Sequence, residues 1–344
     1  MTRDPSLRDP EFDFEANEKI LADLSDGIST AIHATDSISF EAILDSRHTD
    51  KIVNKLLHFG VNNFDLDVQR SWHIYGVDYG DDAPSIDVWQ PTALNQIQST
   101  QTPSVTTTKR VYPTVEEIHE YYSNIYLGDY SGLGEVLNLI TRDFYEFLEL
   151  FYERFAPDEY MELYLANVSI QRKLESGSNS VDAGNIDVRT RQKVGRSVTR
   201  LHQEISAHEQ LNDVLDNFIR YTDLFEDVYR RLSAVDDPDE LKIEPEEVFK
   251  KLERFYHRSA WKWIAELISA DTATGLHSHE IVNGAQQTEI PELKANYQFR
   301  LNRLESILIE NGMVPIGSDN FDRVQSTTLD EEISKINSSE TIEN

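Results

Sequence analysis

The chain has 344 residues and no cysteine, which excludes a disulfide framework, a thiol nucleophile and thiolate zinc sites. Its 62 acidic residues face only 32 basic ones, a formal charge of −30 at pH 7 that repels phosphate and disfavours nucleic acid as a partner. Such a surface suits the cell interior of a halophile, because in molar salt the Debye length falls to about 3 Å and like charges largely stop repelling.

Residues 1–35 open MTRDPSLRDPEFDFEANEK, polar and acidic where a signal peptide needs an unbroken apolar run. They read as a flexible N-terminal segment. Nowhere does an apolar stretch reach the roughly 18 residues of a membrane span, so the expectation is a cytoplasmic protein with no membrane contact. A small α+β domain is expected over 36–89. Ile38, Phe40, Ile43 and Leu44, then Ile52, Val53, Leu56, Leu57 and Phe59, fit two short helices, the second ending at Gly60. From Phe64 the period changes towards alternation, with Trp72 and Ile74 alternating with His73 and Tyr75, which predicts a small hairpin or two short strands. Residues 90–110 are rich in Ser, Thr, Gln and Pro and read as a linker.

Helical periodicity dominates after that linker. A helical domain is expected over 111–176, starting with a capping box of Thr114 and Glu117. Ser131 is placed to cap a helix bearing the stripe Phe144, Phe147, Leu148, Phe151 and Phe155, and GDYSGLGE reads as a turn between helices. Residues 177–190 read as a second linker, and a long-helix bundle is expected over 191–312. Its first pattern runs from Val194 to Leu232 with coiled-coil-like spacing and a skip between His208 and Leu211, so the helix is either overwound there or broken into antiparallel arms. Pro245 opens another helix, with Val248, Leu252, Phe255, Ser259, Trp263 and Leu267 inward, and the last spans about Pro291 to Asn311. Residues 313–344 read as a polar tail.

One segment departs from the acidic background. VRTRQKVGRSVTRLHQ, from Val188 to Gln203, contains no acid and carries Arg189, Arg191, Lys193, Arg196 and Arg200. On a helix, Arg189, Lys193, Arg196 and Arg200 align as a basic stripe, which among so many acids is expected first to pair with the chain's own carboxylates, then to suit an acidic protein partner, and last a phosphate backbone. Trp261 and Trp263, two positions apart, cannot share one helical face. Trp263 fits the inward stripe, which leaves Trp261 as an interface candidate beside the basic residues.

Other constellations fall short of a site. Glu116 and His119 form half of a di-iron pattern whose other members are missing, and His277, His279 and Glu280 lack further ligands. The row Asp143, Glu146, Glu149 and Glu153 reads as a solvated face. No nucleophile elbow, P-loop or zincin signature is present. No catalytic, cofactor-binding or metal-binding residue is therefore assigned.

Residues 51–79, through Lys55, Leu56, Leu57, Trp72, Tyr75 and Gly76, resemble the Panacea, or SocA-like, antitoxin domain, with Val77 where that family has Pro. The resemblance implies a small helical domain that neutralises a toxin protein. The reading as a whole is a mainly α protein, with a small N-terminal α+β unit and hairpin followed by a long-helix bundle or coiled-coil-like region. It acts without catalysis, through a protein partner or self-association. The alternatives are a DNA-associated regulator whose N-terminal unit reads DNA like a winged helix, and an enzyme or metal-binding helical protein.

Overall fold

A computed structural model describes residues 14–35, 49–79, 113–181, 188–235, 241–274 and 278–314. The expected helix around Ile38 to Leu44, the 90–110 linker, His277 and the tail beyond Val314 lie outside them. The described residues are mainly α-helical, with two short antiparallel hairpins. The chain divides into two units, 1–169 with 261–293, and 170–260 with 294–344.

In the first unit, α1 (Phe14–Ala34) corrects the flexible-segment expectation. Leu21, Leu24, Ile28 and Ile32 recur at helical spacing and are buried. Helix α2 (Thr49–Asn63) runs through Gly60 instead of stopping there. Gly60 is a packing point, because a Cβ would lie 2.8 Å from the Tyr122 hydroxyl, which accepts a 3.0 Å hydrogen bond from the Gly60 amide. Strands β1 (Ser71–His73) and β2 (Gly76–Asp78) pair with Trp72 opposite Val77, later in the chain than the alternation from Phe64 suggests.

Helix α3 (Val115–Ser123) has the expected capping box: Thr114 Oγ1 accepts from the Glu117 amide at 3.2 Å, and Glu117 accepts from the Thr114 amide at 2.7 Å. The segment read as a plain turn, 128–135, contains β4 (Tyr130–Ser131), which pairs with β3 (Tyr126–Leu127) just before it. Ser131 thus lies in a strand, and Gly132 stands at the N-cap of α4 (Leu133–Arg142). The phenylalanine stripe occupies a separate helix, α5 (Phe144–Phe155). Asp143 caps it by accepting from the amides of Tyr145 and Glu146 at 3.1 and 3.0 Å. Helix α6 (Met161–Val181) runs through Gly177, past the expected start of the second linker.

In the second unit, α7 (Val188–Ser206) and α8 (Asn212–Leu232) are joined by a 3₁₀ turn, Glu209–Leu211. The skip is therefore a break. A 2.8 Å hydrogen bond between His202 Nε2 and Thr222 Oγ1, residues on either side of the turn, makes the two arms antiparallel. Val194, Val198, Leu201 and Ile205 of α7 are buried with Val214, Phe218, Phe225 and Tyr229 of α8.

Helix α9 (Pro245–Phe255) leads through a π-helical segment, Tyr256–Ala260, into α10 (Trp261–Thr272). A π turn accommodates one extra residue and rotates the helix downstream of it. In α10 Ile264 and Ile268 are buried where Leu267 was expected, and Trp261 and Trp263, on different faces, are both buried because the helix is enclosed on nearly every side. Helix α11 (Ser278–Gly284) and a second π segment, Ala285–Glu289, precede α12 (Ile290–Glu310). In α12 the expected Leu293, Tyr297, Leu301, Leu304 and Leu308 are buried. Met313 and Val314, assigned to the polar tail, are buried as well.

Candidate functional site

Two clusters of positive charge stand out, one in each unit. In the first unit Lys55 lies at the core position of α2 between Ile52, Leu56 and Phe59, and its side chain is fully buried. The Nζ donates to the Tyr75 carbonyl at the hairpin turn and sits 5.4 and 5.7 Å from the ring centroids of Phe151 and Tyr152. Burial, followed by the charge of Lys51 and opposed by Asp78, lowers its pKa from 10.5 to about 7. One turn on, His58 Nδ1 lies 2.8 Å from the Tyr79 hydroxyl. Burial, then Arg70 and Lys55, push the His58 imidazole down to about 3, which keeps it neutral.

A lowered lysine beside a neutral histidine has the electronic character of a nucleophile. Here Lys55 is 0% exposed and Tyr75, Phe151 and Tyr152 close around it, so no substrate reaches it from solution. Its role is mechanical, tying α2 to the hairpin. Trp72, Tyr75 and Gly76, quoted with Lys55 for the antitoxin resemblance, all belong to this brace.

Trp261 belongs to the same core, which overturns its reading as an interface residue. It is 0% exposed, its Nε1 donates to the Ile74 carbonyl at 2.8 Å, and its ring meets Tyr164 edge-on at 5.7 Å. The physical reason is that α10 is enclosed on nearly every side, with Trp263, Ile264, Ala265, Glu266, Ile268 and Ser269 also buried, so tryptophans on two different faces are both covered.

The basic segment behaves in the opposite way. Arg189, Arg191, Lys193, Arg196 and Arg200 are all exposed on α7. Among the described residues, Arg189, Arg191, Lys193 and Arg196 form no ion pair with a carboxylate. Arg189, Lys193, Arg196 and Arg200 share the face turned away from Val194, Val198 and Leu201. Arg191 stands apart, about 200° round the helix from Arg189. It lines a cavity of about 470 Å³ with Gln192, Val194, Glu226, Tyr229 and Arg230.

The remaining candidates have structural roles or do not converge. Glu146 accepts from the Tyr130 hydroxyl at 2.7 Å and pairs with Arg142 at 3.3 Å, and Asp143 is a cap. Among the described residues, no three His, Asp or Glu side chains come together as a metal site, the Glu116 and His119 pair included. No described helix is long and apolar enough to cross a membrane.

A family model described as a domain of unknown function, DUF8098, matches residues 10–342. The chain belongs to this family. Neither the curated proteins nor the solved structures contain a match. The matched range takes in most of both units, so Lys55 and the α7 arginines both lie within it.

Proposed function

We propose that this DUF8098 protein is a non-enzymatic, cytoplasmic protein of a salt-rich interior that acts by protein–protein contact, with the outward face of α7 as its docking surface. The observation that carries the reading is the exposure of Arg189, Lys193 and Arg196 without a carboxylate partner among the described residues, in a chain of 62 acids. Intramolecular pairing is the cheapest use of a cation in such a chain, and these three forgo it. Most of the stripe is arginine, whose planar fork binds carboxylates bidentately at contact distance, where molar salt screens least. An acidic protein face, on a partner or on a second copy of this −30 chain, has the matching chemistry. Phosphate backbones match less well, because the overall charge repels them and high salt removes the gain from counterion release. The DNA-reading alternative also loses Lys55, which is buried and unavailable to a groove.

The antitoxin-like version of this function makes the acidic partner a small toxin. Its support is limited to the residues of the Lys55 brace.

The test is purification in molar salt of the wild type and of a variant carrying R189E, K193E, R196E and R200E, with light-scattering mass, 260/280 nm absorbance and mass spectrometry. A stoichiometric second protein or a stable dimer in the wild type, lost in the variant, is the expected result. A small partner that is toxic when expressed alone would establish the antitoxin version. A nucleic-acid-free monomer at every salt concentration overturns the docking reading, and co-eluting nucleic acid replaces it with the DNA-associated one.

A further inference from the structure

Helix α8 carries an acidic stripe on its own outward side. Asp216, Asp223 and Asp227 recur at offsets of seven and four, within about 40° of one another on the helix and opposite the buried Phe218, Tyr221 and Phe225. Asp216 and Asp223 are exposed and take part in no hydrogen bond or salt bridge among the described residues. Asp227 pairs with Arg230 of its own helix, a surface pair that leaves carboxylate lone pairs for a second cation. The hairpin of α7 and α8 therefore presents a basic stripe on one arm and an acidic stripe on the other. The two do not pair with each other within the chain, because both point outward.

Contacts inside the hairpin fix the level of one arm against the other. His202 Nε2 lies 2.8 Å from Thr222 Oγ1, and a Cβ on Gly195 would lie 3.1 Å from Glu226 Oε1, so residue 202 stands beside 222 and residue 195 near 226. With equal rise per residue along antiparallel arms, Arg196 falls level with Asp227 and Arg200 with Asp223. A two-fold axis parallel to the helices preserves these levels while exchanging the arms. It lays α7 of one copy antiparallel over α8 of the other, so that Arg196 meets the second copy's Asp227 and Arg200 its Asp223, each contact occurring twice by symmetry. A two-fold lying across the helices would instead stack α7 on α7 and set like charges face to face, so the charge pattern selects the first axis.

We propose that this chain forms an isologous homodimer through the outward faces of its α7–α8 hairpin. The proposal rests on the docking reading above and names its occupant, a second copy of this chain. The basic stripe by itself suits any acidic face; the acids of α8, at the level where a symmetric copy needs them, suit this one. Long-range repulsion between two chains of charge −30 opposes the contact, and molar salt confines that repulsion to about 3 Å, the range at which the opposite charges touch. A polar contact of this kind belongs to the weak class of interfaces, with dissociation in the micromolar range, and adds little to thermal stability at comparable concentrations.

The test is sedimentation equilibrium of the full chain in molar salt at micromolar concentrations, for wild type, R196E/R200E, D223R/D227R and an equal mixture of the two variants. Wild type is expected to show a concentration-dependent monomer–dimer equilibrium, and each variant alone to dimerise at least about tenfold more weakly. The mixture should recover dimerisation to within a few-fold of wild type. In the mixed dimer the new glutamates meet the new arginines at one contact, while the original pairs form at the other. Recovery on mixing also shows that neither variant lost its affinity by unfolding, and circular dichroism checks each one directly. A wild type that stays monomeric, a dimer indifferent to both variants, or folded variants that mixing does not rescue overturns the proposal. The docking reading stands without it if a different co-purifying protein is lost with R196E/R200E and kept with D223R/D227R.

Discussion

Lys55 and the cations of α7 are opposite solutions to placing positive charge in an acidic protein. Lys55 gives up water altogether and is held by a carbonyl oxygen and aromatic faces, although Asp78 lies close enough to influence it. Arg189, Lys193 and Arg196 keep their water and take no carboxylate among the described residues. The difference separates a charge enclosed within the fold from charges left at the surface. Buried, a cation constrains its neighbours and depends on pH; exposed, it contributes little to stability and remains free to bind.

The largest test of this contrast is W261A, in the core that contains the Lys55 brace. Losing a fully buried indole and its hydrogen bond to Ile74 should cost about 3–5 kcal/mol. Chemical denaturation followed by fluorescence of Trp72 and Trp263, both in the first unit, measures it. A cost below about 0.5 kcal/mol would return Trp261 to the surface.

Next comes the pH dependence of Lys55. Its folded pKa of about 7 lies below its unfolded value of 10.5, so between these values the unfolded chain binds more protons and stability rises with pH. The slope approaches about 1.4 kcal/mol per pH unit above neutrality. It is opposed only where buried tyrosines such as Tyr122 and Tyr164, held protonated by burial, begin to ionise in the unfolded chain near pH 10. Urea midpoints for wild type and K55M between neutral and mildly alkaline pH should diverge in slope, and parallel lines would mean that Lys55 keeps its charge at ordinary cost. A smaller effect is expected of T114A, about 1 kcal/mol from loss of the cap on α3, read by the same denaturation.

Smallest of all is neutralisation of the outward stripe with R189Q, K193Q, R196Q and R200Q. Thermal unfolding should change by no more than about 0.5 kcal/mol per site. A cooperative loss of several kcal/mol would show that the stripe supports the fold and would remove the contrast.

The helical architecture was legible wherever periodicity was uninterrupted. Leu293, Tyr297, Leu301, Leu304 and Leu308 read inward and are buried, and the Thr114 capping box is present as spelled. The stripe Leu21, Leu24, Ile28 and Ile32 was equally legible but lay in a segment dominated by its acidic flank. The exposure of Arg189, Lys193, Arg196 and Arg200 follows from their separation from Val194, Val198 and Leu201 on the helical wheel.

Two features were not legible. Lys55 occupies a core position between Leu56 and Ile52, but what receives its ammonium is a carbonyl 20 residues away, and sequence spacing does not report tertiary acceptors. The cavity beside Arg191 depends on which residues of two antiparallel arms face each other across the turn, so Glu226 had no sequence signal linking it to Arg191.

The π segment Tyr256–Ala260 also bears on how this family tolerates change. Substitutions there keep the extra residue that the wider turn accommodates, whereas removing one residue would let the segment relax to ordinary α geometry. If that extra residue is needed, a comparison of DUF8098 sequences should show indels excluded between Leu252 and Trp261 even where the residues themselves vary.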